Sequence, residues 1–82
     1  MNRNLFKKIL EHIGVENIEK AFELEELLSQ NTTKGFSYYK VDRSQRYAIG
    51  ESFQLKNNKI EYYDLTKESP RQFIIKNFIS VI

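Results

Sequence analysis

The 82-residue chain has no cysteine and no tryptophan, and only one proline, one histidine and three glycines. Without cysteine there is no disulfide framework and no thiolate for zinc, an iron–sulfur cluster or redox chemistry. The single imidazole, His12, falls short of the two or three nitrogens that a catalytic zinc site uses. Gly14, Gly35 and Gly50 are too scattered for a phosphate-cradling loop, and no Ser or Thr stands in a nucleophile-elbow pattern. Neither a metal nor an organic cofactor is therefore expected. Met1-Asn2-Arg3-Asn4 leads straight into charged residues, without the apolar stretch of a signal peptide or membrane helix. A cytoplasmic protein that avoids membranes is the expectation. Alanine is confined to Ala21 and Ala48 while Asn, Ile and Lys are frequent, a bias that reads as the mark of an AT-rich genome.

What is present is the composition of an ordinary globular protein: 40% hydrophobic, 29% charged, with six Phe and five Tyr. Such a length has room for one core and buries about 60% of the unfolded surface, so residues 1–82 are expected to form one domain.

Leu5, Phe6, Ile9, Leu10 and Ile13 recur at helical spacing, with Lys7, Lys8, Glu11 and His12 opposite, which predicts a first amphipathic helix. Gly14 suits the left-handed position that ends it, and Val15 is expected to pack back on the last turn. His12, near that end, is expected at the surface, where its charged form would suit the helix dipole. A second helix is predicted over Glu16–Ser29. There Ile18, Ala21, Phe22, Leu24, Leu27 and Leu28 cover most of the circumference and leave a narrow stripe of Glu16, Glu19, Glu23 and Glu26. Glu25 falls inside the apolar arc and is expected at a rim or beside a buried cation.

The polar run Ser29–Gly35 predicts a loop. Alternation then places Tyr39 and Val41 on one face of a first strand. In a second strand the odd positions Tyr47, Ile49, Phe53 and Leu55 are expected to face the core. Asn57-Asn58 suits a two-residue hairpin turn, which would pair Leu55 with Ile60 and Phe53 with Tyr62, and set Glu51 opposite Asp64. Ser69-Pro70-Arg71-Gln72 reads as an N-cap, a first-turn proline and a capping-box Gln. A C-terminal helix through Phe73, Ile74, Ile75, Phe78, Ile79 and Ile82 is thus predicted; a strand there is the weaker alternative, because Lys76 and Asn77 break the alternation. The expected fold is α+β, in the order ααβββα, with a three-stranded antiparallel meander.

Charge is segregated although the net charge is only +2. Residues 15–29 carry five Glu against Lys20, whereas residues 30–50 carry Lys34, Lys40, Arg43 and Arg46 against Asp42 alone. The acidic stripe Glu16, Glu19, Glu23 and Glu26 is the candidate surface for a protein partner. The alternative is a nucleic-acid surface of Tyr38, Lys40, Arg43, Arg46 and Lys56, where cations meet phosphate and aromatic rings stack on bases. An isologous homodimer through Phe73, Ile74, Phe78 and Ile82 of the last helix is the oligomeric expectation.

The element order partly resembles that of double-stranded-RNA-binding domains, which run helix, three strands, helix. This chain has an extra helix and lacks their basic cluster at the start of the last one. It also resembles the ribosome-dependent RNA-cleaving toxins, which place two helices before a sheet bearing Arg and Tyr, as Arg43, Arg46 and Tyr47 stand here. Those toxins are more basic and begin with a strand, unlike Met1–Leu5. The reading that follows from the residues is a non-enzymatic binding protein for a macromolecular, protein partner, acting as an inhibitor or regulator of the kind a phage or mobile element encodes. The alternative is a nucleic-acid-binding or RNA-cleaving protein working through Arg43 and Arg46.

Overall fold

A computed structural model describes all 82 residues. Two helices come first: α1 (Arg3–Ile13) and α2 (Ile18–Gln30), joined by a 3-10 turn over Val15–Asn17. Asn2 caps α1 by accepting the Leu5 N–H at 3.0 Å. Gly14, at φ 89°, ends it by donating its N–H to Leu10, as its position in the sequence suggests. Val15 does not fold back on the helix; it is exposed. Asn31, at φ 52°, closes α2 in the left-handed conformation that Asn tolerates.

The rest is strand. β1 (Lys34–Tyr39), β2 (Gln45–Lys56), β3 (Lys59–Asp64), β4 (Ser69–Ile74) and β5 (Phe78–Val81) form one sheet in the order β4-β3-β2-β1-β5, with every neighbouring pair antiparallel. The expected C-terminal helix and three-stranded meander are therefore wrong. Ser69–Ile74 is an edge strand, and Lys76 and Asn77 interrupt the alternation because they lie in a 3-10 turn, Ile75–Asn77, between two strands. Proline fits there because an outward-facing edge position needs no N–H donor. The density of β-branched Ile and Val in this segment favours strands over helix, and pairing with β3 and β1 prevails over the local cap-like sequence.

That 3-10 turn dictates the shape. In a flat sheet of five strands the two edges stand about 19 Å apart, whereas the four steps from Ile74 to Phe78 reach about 14 Å even when extended. The sheet must roll. Accordingly the Tyr38 ring on β1 stacks on Phe73 of β4 with centroids 4.4 Å apart, although β2 and β3 separate those strands in the ladder. Phe36 sits at the centre, in ring contact with Tyr38, Phe53, Tyr62 and Phe73. α2 packs on β2 and β5, and α1 on the 3-10 turn. Ile9, Ala21, Leu24 and Leu27 thereby join the same core as the rings.

The roll turns its corner in β2. Its first half pairs with β1 and its second with β3. Between them a bulge sets Ser52 and Phe53 against Tyr62, with Ser52 at φ 58°. The extra residue switches the inward parity from even (Ala48, Gly50) to odd (Phe53, Leu55). The hairpin at Asn57-Asn58 and the pairing of Leu55 with Ile60 are as expected, but beyond the bulge the register moves by one. Asp64 faces Gly50, Tyr63 faces Glu51, and Tyr47 and Ile49 point outward, 67% and 50% exposed. Val41 lies beyond β1 and is exposed.

A Cβ on Gly50 would come within 2.6 Å of Tyr62 Cδ2 and 3.3 Å of Phe36 Cε1. Gly50→Ala is thus expected to lower stability by about 1–3 kcal/mol through overpacking, read by urea denaturation. Ser52→Gly should be neutral or stabilising by up to about 1 kcal/mol, and Ser52→Val destabilising by about 1 kcal/mol or more, because left-handed backbone penalises a β-branched side chain. Equal stabilities for the two Ser52 variants would contradict the bulge.

Candidate functional site

The largest depression, about 620 Å³, is an open groove between the end of β1 with its following turn and residues 70–74 of β4. It exists because β5 is short. β5 starts opposite Tyr38, so Tyr39 and the residues beyond it have no neighbour on that side, and the rolled sheet stays unbridged between them and β4.

Residues from both walls meet at its mouth. Tyr38 is paired in register with Arg46 and Tyr62 with Arg71, all on the inner face. The two tyrosine hydroxyls share a buried hydrogen bond of 2.7 Å. Two arginines therefore flank a tyrosine pair, and Lys40 adds a third cation to the lining. Burial and the bond to Tyr38 push the Tyr62 hydroxyl pKa far above the ordinary tyrosine value. Tyr38, Phe73, Ile74, Pro70 and Val41 supply the apolar surface.

The carboxylates nearby are already engaged. Asp64, buried, accepts the N–H groups of Thr66 and Lys67 at 2.9 and 3.0 Å, closing the β3–β4 turn. Its other oxygen lies 3.3 Å from Arg71 Nε, an ion pair without hydrogen-bond alignment that leaves this buried Nε without an acceptor. Asp42 accepts from both the hydroxyl and the N–H of Ser44, which together hold its carboxyl below the usual carboxylate range.

Of the basic set read from the sequence, Tyr38, Lys40 and Arg46 line this groove, and Arg43 lines an adjoining depression with Tyr39, Lys40 and Ile74. Lys56 is remote, on the β2–β3 hairpin, and pairs with Glu61 at 3.2 Å. Pro70, Arg71 and Gln72 also line the groove, a place that their resemblance to a helix start conceals; the Ile-rich run that follows is the available signal for strand.

Glu16 belongs to the 3-10 turn, Glu19 and Glu26 are exposed, and Glu23 accepts the Val81 N–H at 2.8 Å, tying β5 to α2. Glu25 is buried and meets no cation. Its carboxylate accepts the Asn2 N–H at 3.2 Å, at the positive end of α1. The apolar dimer surface assigned to a last helix does not exist: Phe73 and Phe78 are in the core, Ile74 lines the groove, and Ile82 is exposed. His12 sits in the last turn of α1, partly exposed.

No helix is long and apolar enough to cross a membrane, and no group of three or more His, Cys, Asp or Glu is placed to hold a metal ion. No protein-family model, curated protein or solved structure matches the chain.

Tyr38→Phe and Tyr62→Phe each leave one buried hydroxyl without its partner and are expected to cost about 1–2 kcal/mol. The double variant should cost less than their sum, read by chemical denaturation. The raised Tyr62 pKa has a definite sign: the folded state keeps the proton that the unfolded tyrosine releases near pH 10.0. Stability from this group is therefore complete below that pH and declines above it. Tyr62→Phe should flatten the alkaline limb of the stability profile; an unchanged limb would contradict the assignment.

Proposed function

We propose that this chain is a small non-catalytic binding protein that engages a protein partner through the groove between the β1–β2 turn and β4, regulating or inhibiting that partner by occupancy. One observation carries the reading: Lys40, Arg46 and Arg71 converge on a single open groove floored by Tyr38 and Phe73. Most lining side chains there are cationic or apolar, so the complementary segment of the partner is anionic with apolar positions. Basic residues beside accessible aromatic and apolar surface also make a physically effective contact, since Arg is favoured at interface cores.

The non-catalytic part of the reading rests on the carboxylates. Asp42 is turned into its own loop by Ser44, and Asp64 is taken up by Arg71 and the β3–β4 turn. Asp64 is thereby committed, and the lowered pKa of Asp42 leaves its carboxylate a weak general base. Docking through the acidic helix is less well supported, because Glu23 is committed to Val81.

A second reading is single-stranded nucleic acid. What favours it is Tyr39, 48% exposed, in the same depression as Lys40 and Arg43. That pairing offers a stacking ring next to phosphate-binding cations.

Charge reversal separates these surfaces. Lys40→Glu with Arg46→Glu is expected to abolish retention of the native partner in affinity capture, while Glu19→Lys with Glu26→Lys retains it, with folding of both checked by circular dichroism. The opposite pattern would overturn the reading. Retention of a mixed oligonucleotide pool at low salt, lost steeply as salt rises, would establish the second reading in its place.

A further inference from the structure

The groove is bounded by more than side chains, because one wall is an unpaired strand edge. The Ile75 N–H donates to the Asn58 carbonyl at 2.9 Å, which fixes the hydrogen-bonding phase along β4. In an antiparallel ladder, bonded and non-bonded pairs alternate. Ile60 with Phe73, Tyr62 with Arg71 and Asp64 with Ser69 are therefore the pairs that exchange bonds, while Pro70, Gln72 and Ile74 turn their main-chain groups away from β3. Pro70 agrees with this phase, since it has no N–H to offer. The N–H groups of Gln72 and Ile74 have no acceptor within the chain, and both residues line the groove.

We propose that an extended, acidic segment of a partner protein adds to β4 as a further antiparallel strand and fills the unbridged seam of the rolled sheet. This rests on the groove being the binding surface and names what enters it. Guest residues opposite Gln72 and Ile74 exchange main-chain bonds with them and point their side chains outward. Guest residues opposite Arg71 and Phe73 point inward, to the mouth where Arg46, Arg71 and Lys40 stand. Acidic side chains are accordingly favoured at the inward positions, every second residue, where the cations stand, and an apolar side chain also fits opposite Phe73. A nucleic-acid strand has no amide ladder to match this edge, and a basic peptide meets like charge.

The test uses a fluorescein-labelled octapeptide alternating Glu and Thr, titrated into the intact protein by fluorescence anisotropy. Two versions carry backbone N-methyl groups, one on every Thr and one on every Glu. Methylation of the Thr set removes the donors that face β4 and is expected to weaken binding by about tenfold or more; methylation of the Glu set, whose N–H groups face away, should leave it within about threefold. Gln72→Pro, which deletes an outward N–H without touching the β3 ladder, should match the loss from Thr methylation. An alternating Lys and Thr peptide should not bind.

If all Glu–Thr versions bind alike, yet Lys40→Glu with Arg46→Glu abolishes binding, the groove stands and strand addition is wrong. If that charge reversal leaves peptide binding unchanged, the groove itself is wrong. Absence of peptide binding at about 1 mM, or displacement of the peptide by an octathymidylate, overturns the proposal.

Discussion

Three residues, Ile75–Asn77, join the two edges of a five-stranded sheet, and the rest of the molecule is arranged around that shortness. Because the link cannot span a flat sheet, β4 must come round to the neighbourhood of β1. The space so enclosed is filled by rings, with Phe36 in contact with four others. Curvature needs a corner, and the bulge at Ser52, beside a Gly50 that leaves room for Tyr62 and Phe36, provides it. The two helices then cover the part of the roll formed by β2, β5 and the 3-10 turn, burying Ile9, Leu24 and Leu27.

The same economy leaves one place unfinished. β5 is too short to accompany the end of β1, so the roll has a seam, and the seam is where the cations are. Arg46 and Arg71 reach it from the inner face, next to a tyrosine pair whose hydroxyls share one hydrogen bond. Buried polar groups in so small a core carry a large penalty unless paired, and Tyr38 with Tyr62, Asp64 with its turn, and Glu25 with Asn2 each meet that requirement by different means. Lys40 and the two arginines are the charged groups of the groove without a full complement of acceptors, which is why it is read as a binding surface rather than as structure alone.

Both helices, the Gly14 stop and the Asn57-Asn58 hairpin were legible, because each is encoded within a few neighbouring residues. The bulge was not: nothing in Ser52 announces a left-handed backbone, and without it Tyr47 and Ile49 were assigned to the core they face away from. The final segment misled for a related reason. Ser69-Pro70-Arg71-Gln72 satisfies the local pattern of a helix start, yet its fate is set by β3, a partner across a turn, and by β1 for the strand that follows. Three of the five residues of the basic set survived these errors, since Tyr38, Lys40 and Arg46 lie on one short hairpin. Arg71 could not be joined to them before β4 was known to roll back beside β1.

Residue-resolved amide hydrogen exchange on the free protein tests the open seam most directly. The account requires slow exchange at Arg71 and Phe73, whose N–H groups bond to β3, and fast exchange at Gln72 and Ile74 between and beyond them. Uniform protection across 71–74 would mean that this edge is closed or helical, and the binding site described here would not exist.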